Sequence, residues 1–164
     1  VRVPVLSKTI VSTAASRSEY RRNSRVLLTT TFGHERVITI GTLVMDILSC
    51  DQLTSKKCAP CEGGVPKFNS TEAEQQVKHL SGWELTHDNQ RIRKSWVANN
   101  FLAAVSFLEK VAVVSESEGH HPDLHLVQYR NVTIELWTHA IGGLSENDFI
   151  CAAKIDELPI ELKS

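Results

Sequence analysis

Four of the seven histidines fall within one stretch, as His120, His121, His125 and His139. Imidazole is the side chain that titrates nearest neutrality, so a cluster of this kind suits proton delivery and removal. Three imidazoles also suit a zinc ion, and a third reading leaves them without a shared task. Adjacent side chains on extended backbone point to opposite sides, which counts against His120 and His121 ligating one metal. Pro122 disfavours helical backbone at His121 and helps to set the direction of the following strand. Cys58 and Cys61, in a Cys-x-x-Cys arrangement, would supply half of a zinc site, but no second pair completes it. That pair reads as structural or incidental.

The elements that must position these groups follow from caps, breakers and periodicity. Asn69-Ser70-Thr71, with Glu72 or Glu74 at the reciprocal position, predicts a helix start, and Ser81-Gly82 stops that helix after about Leu80. Trp83 to His87 and Arg91 to Val97 read as a hairpin turned at Asp88-Asn89. Asn99-Asn100 opens a helix from Phe101 to about Glu116, whose apolar positions Phe101, Ala104, Val105, Leu108, Val111 and Ala112 form the expected core stripe. Two further strands, Asp123 to Tyr129 and Val132 to His139, are joined by Arg130-Asn131. The second strand alternates, with Val132, Ile134 and Leu136 on one side and Thr133, Glu135, Trp137 and His139 on the other. Ser145 then caps a helix to about Ile155.

The order α-β-β-α-β-β-α predicts an α+β domain, a four-stranded antiparallel sheet with helices packed on one face. With Arg130-Asn131 as a two-residue turn, Leu124 faces Trp137 and Pro122 faces His139. That pairing would carry His139 to the His120-His121 loop.

Length and composition bound the rest. The chain has 164 residues, of which 41% are hydrophobic and 23% charged, enough for one ordinary domain. A net charge of -1 gives no general grip on nucleic acid. No apolar run reaches the roughly 20 residues that span a bilayer; the longest, 37–48, contains Asp46. Four cysteines do not make a disulfide framework. Residues 1–51 are rich in Ser, Thr and Arg and poor in acids, so they read as a transit peptide or a disordered leader. Residues 52–68 read as a Cys/Gly/Pro loop, and 69–164 as the compact domain.

The spacing of Glu116, His120-His121-Pro122-Asp123, Tyr129, His139 and Asp148 resembles the signature of the pterin-4a-carbinolamine dehydratases. Gly82-Trp83, Arg93-Lys94-Ser95-Trp96, the run from Phe107 to Val111, and Thr138-His139 followed by Gly142-Gly143-Leu144-Ser145-Glu146-Asn147-Asp148 agree with it. The likeness covers about 69–157, and the motif is long and specific. The text from Val127 to Trp137 and the Cys58/Cys61 stretch look more like plant and algal members than animal ones, which suits an organellar leader, mitochondrial or alternatively plastid.

The resemblance implies an antiparallel sheet with helices on one side and a homodimer or homotetramer. It implies a 4a-hydroxytetrahydropterin as substrate, water and a quinonoid dihydropterin as products, and no metal or organic cofactor. It also implies roles. His120 and His139 would sit at the proton-transfer centre, with His121 positioning the ring or sharing the acid role. Glu116 would orient a histidine, Asp148 would cap a helix and fix a loop, and Trp83, Pro122 and Asp123 would contact substrate. Replacing His120 or His139 by Ala is expected to cost activity with little loss of stability. Two rivals stand beside this reading. One is a binding module of the same fold, since animal members bind a dimerising transcription factor and some plant relatives assist assembly of a photosynthetic enzyme. The other is a metalloprotein.

Overall fold

The computed structural model describes residues 45–61 and 64–164. Most of the expected leader, 1–44, lies outside the described residues. The first element comes earlier than the sequence reading placed it. Ser49 accepts from the Gln52 N–H at 3.3 Å while the Gln52 amide oxygen accepts from the Ser49 N–H at 2.9 Å. This reciprocal cap starts a short helix, α1 (Cys50–Thr54). Leu53 is fully buried, and the Gln76 side chain holds Leu48 by its N–H and its carbonyl, both at 2.8 Å. Ile47–Ser164 therefore form one compact unit. The expected boundary near Asn69 is too late, because Leu48, Leu53, Val65 and Phe68 are all buried and that burial stabilises the fold.

Asn69 and Glu72 make the predicted reciprocal cap, with both bonds at 2.9 Å, and α2 runs over Ser70–Val77. Strands β1 (Glu84–Thr86) and β2 (Arg91–Val97) follow. His87, Asp88 and Asn89, in the loop between them, all have positive φ, a conformation that Asn and Asp tolerate better than most residues. Helix α3 spans Phe101–Glu118, capped by the Asn100 side chain and ended by Gly119 at φ 65°, where only glycine is free of Cβ strain. Then come β3 (Asp123–Val127), β4 (Asn131–Leu136), a 3₁₀ turn at His139–Ile141, and α4 (Glu146–Asp156).

The sheet order is β1-β2-β4-β3, antiparallel throughout. Ile92, Val132, Ile134 and Leu136 lie on one face and are fully buried. The opposite face carries Arg91, Arg93, Ser95, Thr133 and Glu135. A sheet that is apolar on one side and charged on the other takes its helices on the apolar side. Phe107 of α3 meets Trp96 of that face edge-on at 5.2 Å between ring centroids. Helix α4 is buried along most of its length, including Asn147 to Ala153. No helix of the described residues is long and apolar enough to cross a membrane.

Two sequence expectations change here. The core stripe of α3 is Ala104, Phe107, Val111 and Ser115, whereas Phe101 and Val105 are exposed. The β3–β4 turn is 128–130 and not Arg130-Asn131: Val127 pairs with Asn131, and Leu124 pairs with Ile134 rather than Trp137. Positive φ falls on Gln128 and Tyr129, residue types that carry no strong turn signal.

Candidate active site

A cleft of about 230 Å³ is lined by Cys61, Gly119, His120, His121, Trp137, Thr138, His139 and Ala140. All three histidines of the motif reach it, though not by the predicted route. β4 stops at Leu136, and His139 opens the 3₁₀ turn beyond it. The chain reverses there because Thr138 pairs with Gly143, the Thr138 N–H donating to the Gly143 carbonyl at 2.8 Å. Gly119 and His120 close α3 on the facing side, the His120 N–H donating to the Ser115 carbonyl at 3.1 Å.

His120 is the most constrained of the three. It is 4% exposed, with Nε2 2.7 Å from Asp148 Oδ1 and Nδ1 3.2 Å from Cys61 Sγ. Asp148 is fully buried, yet each of its oxygens is satisfied. Oδ2 accepts from the Ser145 N–H at 2.7 Å and from the Thr138 hydroxyl at 2.8 Å, which is how a carboxylate is held in a protein interior. Asp148 thus caps α4 and fixes a loop, as the sequence suggested, and it also orients His120.

His121 is open to solvent, its side chain 64% exposed, and its Nε2 lies 3.0 Å from Glu116 Oε2. Glu116 is therefore the carboxylate partner of His121. His139 is exposed and tilts against Trp137, with centroids 4.0 Å apart. Trp137 is fixed in turn: its indole N–H donates to Asp123 Oδ2 at 3.1 Å, and the Arg91 guanidinium lies 4.2 Å from its ring centre. Asp123 reaches the cleft only through Trp137, and Pro122 is not among the lining residues. Trp83 lies elsewhere. It is buried edge-on to Trp96 and donates to Asp156, which also binds Lys94. The core takes Trp83, because its ring sits on the covered face of the fold.

Sequence reasoning missed Trp137, Thr138 and Cys61 as lining residues. Trp137 carried a signal, two residues before His139 on the same side of an alternating strand. Cys61 carried none beyond its spacing to Cys58, because its partners lie far along the chain. Asn147 ties the segment down: its side chain exchanges bonds with the Ala59 backbone at 2.9 and 2.8 Å and donates to Cys61 Sγ at 3.3 Å. Burial pushes the Cys61 thiol up, the Asn147 bond opposes this, and the Asp148 charge and the neighbouring Cys58 thiol add to it. The hydrogen bond to Cys151 and burial push the Cys58 thiol up further, the two sulfurs lying 3.6 Å apart. Among the described residues no group of three or more His, Cys, Asp or Glu is arranged to share a metal ion.

This arrangement offers two solvent-accessible imidazoles, one locked imidazole, an aromatic wall and a cleft for a small ligand. Comparisons with known proteins agree with the motif. The family model described as pterin 4 alpha carbinolamine dehydratase matches residues 66–158. A pterin-4-alpha-carbinolamine dehydratase of Arabidopsis thaliana, named as mitochondrial, is 47% identical over 116 residues, covering 69% of this chain and 62% of that protein. A Nitrosomonas eutropha protein named "Putative pterin-4-alpha-carbinolamine dehydratase" is 52% identical over 112 residues, covering 68% of this chain and 96% of its own. A crystal structure from Brucella melitensis, titled a transcriptional coactivator/pterin dehydratase, superposes with a TM-score of 0.52 at 26% identity, covering 56% of this chain and 96% of its own. The matched region holds all three cleft histidines with Glu116 and Asp148, and the chain belongs to the pterin 4 alpha carbinolamine dehydratase family.

Proposed function

We propose that the chain dehydrates a 4a-hydroxytetrahydropterin to the quinonoid dihydropterin and water. The C4a–O bond breaks, the departing hydroxyl takes up a proton, and N5 gives up its proton as the C4a–N5 double bond forms. The reaction therefore needs an acid and a base on one small ligand, both working near neutral pH. The observation that carries this reading is the cleft lined by His120, His121 and His139. The family relation supports the substrate class.

The geometry favours His121 and His139 as the exchanging groups over the pairing of His120 with His139. Both rings are exposed, whereas each His120 nitrogen is engaged by a protein group. Glu116 suits His121 to the role of base, leaving His139 to serve the departing oxygen. Trp137 would form a wall against the flat ring of the ligand. No resident metal or organic cofactor enters these steps.

Stopped-flow dehydration of synthetic 4a-hydroxytetrahydropterin tests the assignment. His139→Ala should slow the step roughly 10²–10⁴-fold, the usual worth of a general acid or base. Wild-type rates in folded His139→Ala and His121→Ala proteins would defeat it.

Two further parts belong to the same proposal. The chain assembles as a homodimer or homotetramer, which the exposed Phe101, Leu102, Val105 and Val113 of α3 support. It works in the mitochondrion, with a transit peptide lying before the compact unit that begins at Ile47 and the plastid as the alternative destination. The name of the Arabidopsis relative supports the first.

A further inference from the structure

His120 lines the cleft, yet neither ring nitrogen is open. Asp148 Oδ1, 2.7 Å from Nε2, belongs to a carboxylate that already accepts three bonds at its other oxygen. An ionised carboxylate only accepts, so Nε2 carries a hydrogen, and in the neutral ring Nδ1 then carries the lone pair. That lone pair faces the Cys61 sulfur at 3.2 Å. The sulfur itself receives a hydrogen bond from Asn147 Nδ2 at 3.3 Å, and the same amide nitrogen is anchored on the Ala59 carbonyl at 2.8 Å. The thiol hydrogen has one near acceptor, His120 Nδ1, since the Ala59 carbonyl is 4.0 Å away. Directions therefore run one way along the chain, from Asn147 to Cys61 to His120 to Asp148.

We propose that Cys61 is a positioning residue for the dehydration, its thiol clamping the His120 ring against Asp148 and withdrawing the His120 lone pair from the cleft. This rests on the dehydratase reading. The clamp removes a third proton acceptor from a site that needs one acid and one base. It also fixes the plane of a ring that lines the cleft, so the ligand meets an imidazole of one tautomer and one orientation. The ionisable groups facing the Cys61 sulfur are His120, Asp148 and Cys58. Burial keeps the thiol protonated, which is the form able to donate.

Cys61→Ala removes the donor, and Cys61→Ser restores one of similar size. In the full chain, Cys61→Ala should lower kcat roughly fivefold, the worth of one ordinary hydrogen bond, with KM little changed. It should also add an ionisation to the pH–rate profile as Nδ1 opens to the cleft. Cys61→Ser should recover most of the rate and the wild-type profile. A purely structural cysteine would shift thermal stability in both variants and leave the profile alone. Nitrogen-15 spectra of the His120 ring provide an arm independent of turnover. Nδ1 should resonate as a hydrogen-bonded acceptor in the wild type and in Cys61→Ser, and as a free acceptor in Cys61→Ala. An unchanged Nδ1 resonance together with wild-type kcat and profile in folded Cys61→Ala overturns the clamp. If the wild-type chain does not turn over the pterin, the dehydratase reading falls and the ring spectra still decide the clamp.

Discussion

Asp148 decides more than any other single residue here. Its four hydrogen-bonding contacts join the first turn of α4, the residue before His139, and His120. The sequence-based expectation that His120→Ala would leave stability nearly unchanged therefore gives way. Removing that ring strands a buried carboxylate, which costs about 3–5 kcal/mol in comparable cases. His139→Ala, at an exposed position, should stay within about 0.5 kcal/mol of the parent. Urea unfolding of the two variants makes the comparison, and equal midpoints would show that the Asp148–His120 pair is unimportant to the fold. The three histidines, Glu116 and Asp148 were legible in the sequence because their spacing forms a motif. Trp137 and Cys61 were not, because each acquires its role from partners that only the fold supplies: Asp123 and Arg91 for one, Asn147 and His120 for the other.

At the scale of elements, helix starts were the most readable feature. Asn69, Asn100 and Ser145 all stand where their residue types put them, because a cap is a local bond between near neighbours. The β3–β4 hairpin was misread because its loop places left-handed backbone on Gln128 and Tyr129, against residue preference, and sheet pairing overrides that preference. The α3 stripe was misread because Ser115, a polar residue, is buried by donating to the Val111 carbonyl, while Phe101 and Val105 face out. The C-terminal end of α3 holds a charge device of its own. Burial alone would push the Glu118 carboxyl up, but the Lys154 bond, the Cys58 N–H and the charges of Lys154 and Lys57 outweigh it and hold the group below the usual carboxylate range. A depressed folded value means stability that is present above the unfolded value and lost as pH falls through the folded one. Glu118→Gln should therefore cost on the order of 1–2 kcal/mol at neutral pH, with the difference from the parent shrinking below about pH 4. Thermal melts across that range check it. A constant difference at all pH values would show that the carboxylate charge is not what Lys154 and Cys58 hold.

For the molecule as a whole, fold class was legible from the alternation of caps, breakers and a period-two strand. The route by which His139 reaches the cleft was not, because one chain reversal at Thr138 and Gly143 replaces the strand pairing expected for it. The sheet leaves β3 at an edge with Leu124 and Val127 exposed, and α3 leaves Leu102 77% exposed. Patches of this kind suit self-association. Light scattering on the full chain should give two or four times 18.3 kDa, and Leu102→Asp should lower that mass. A monodisperse monomer at micromolar concentration would remove the oligomer from the proposal. The wall that Cys61 gives to the cleft stands outside 66–158, the stretch shared with the family model. Whoever trims an expression fragment to the family-model boundaries would thus purify a protein carrying every motif histidine and missing one side of the cleft.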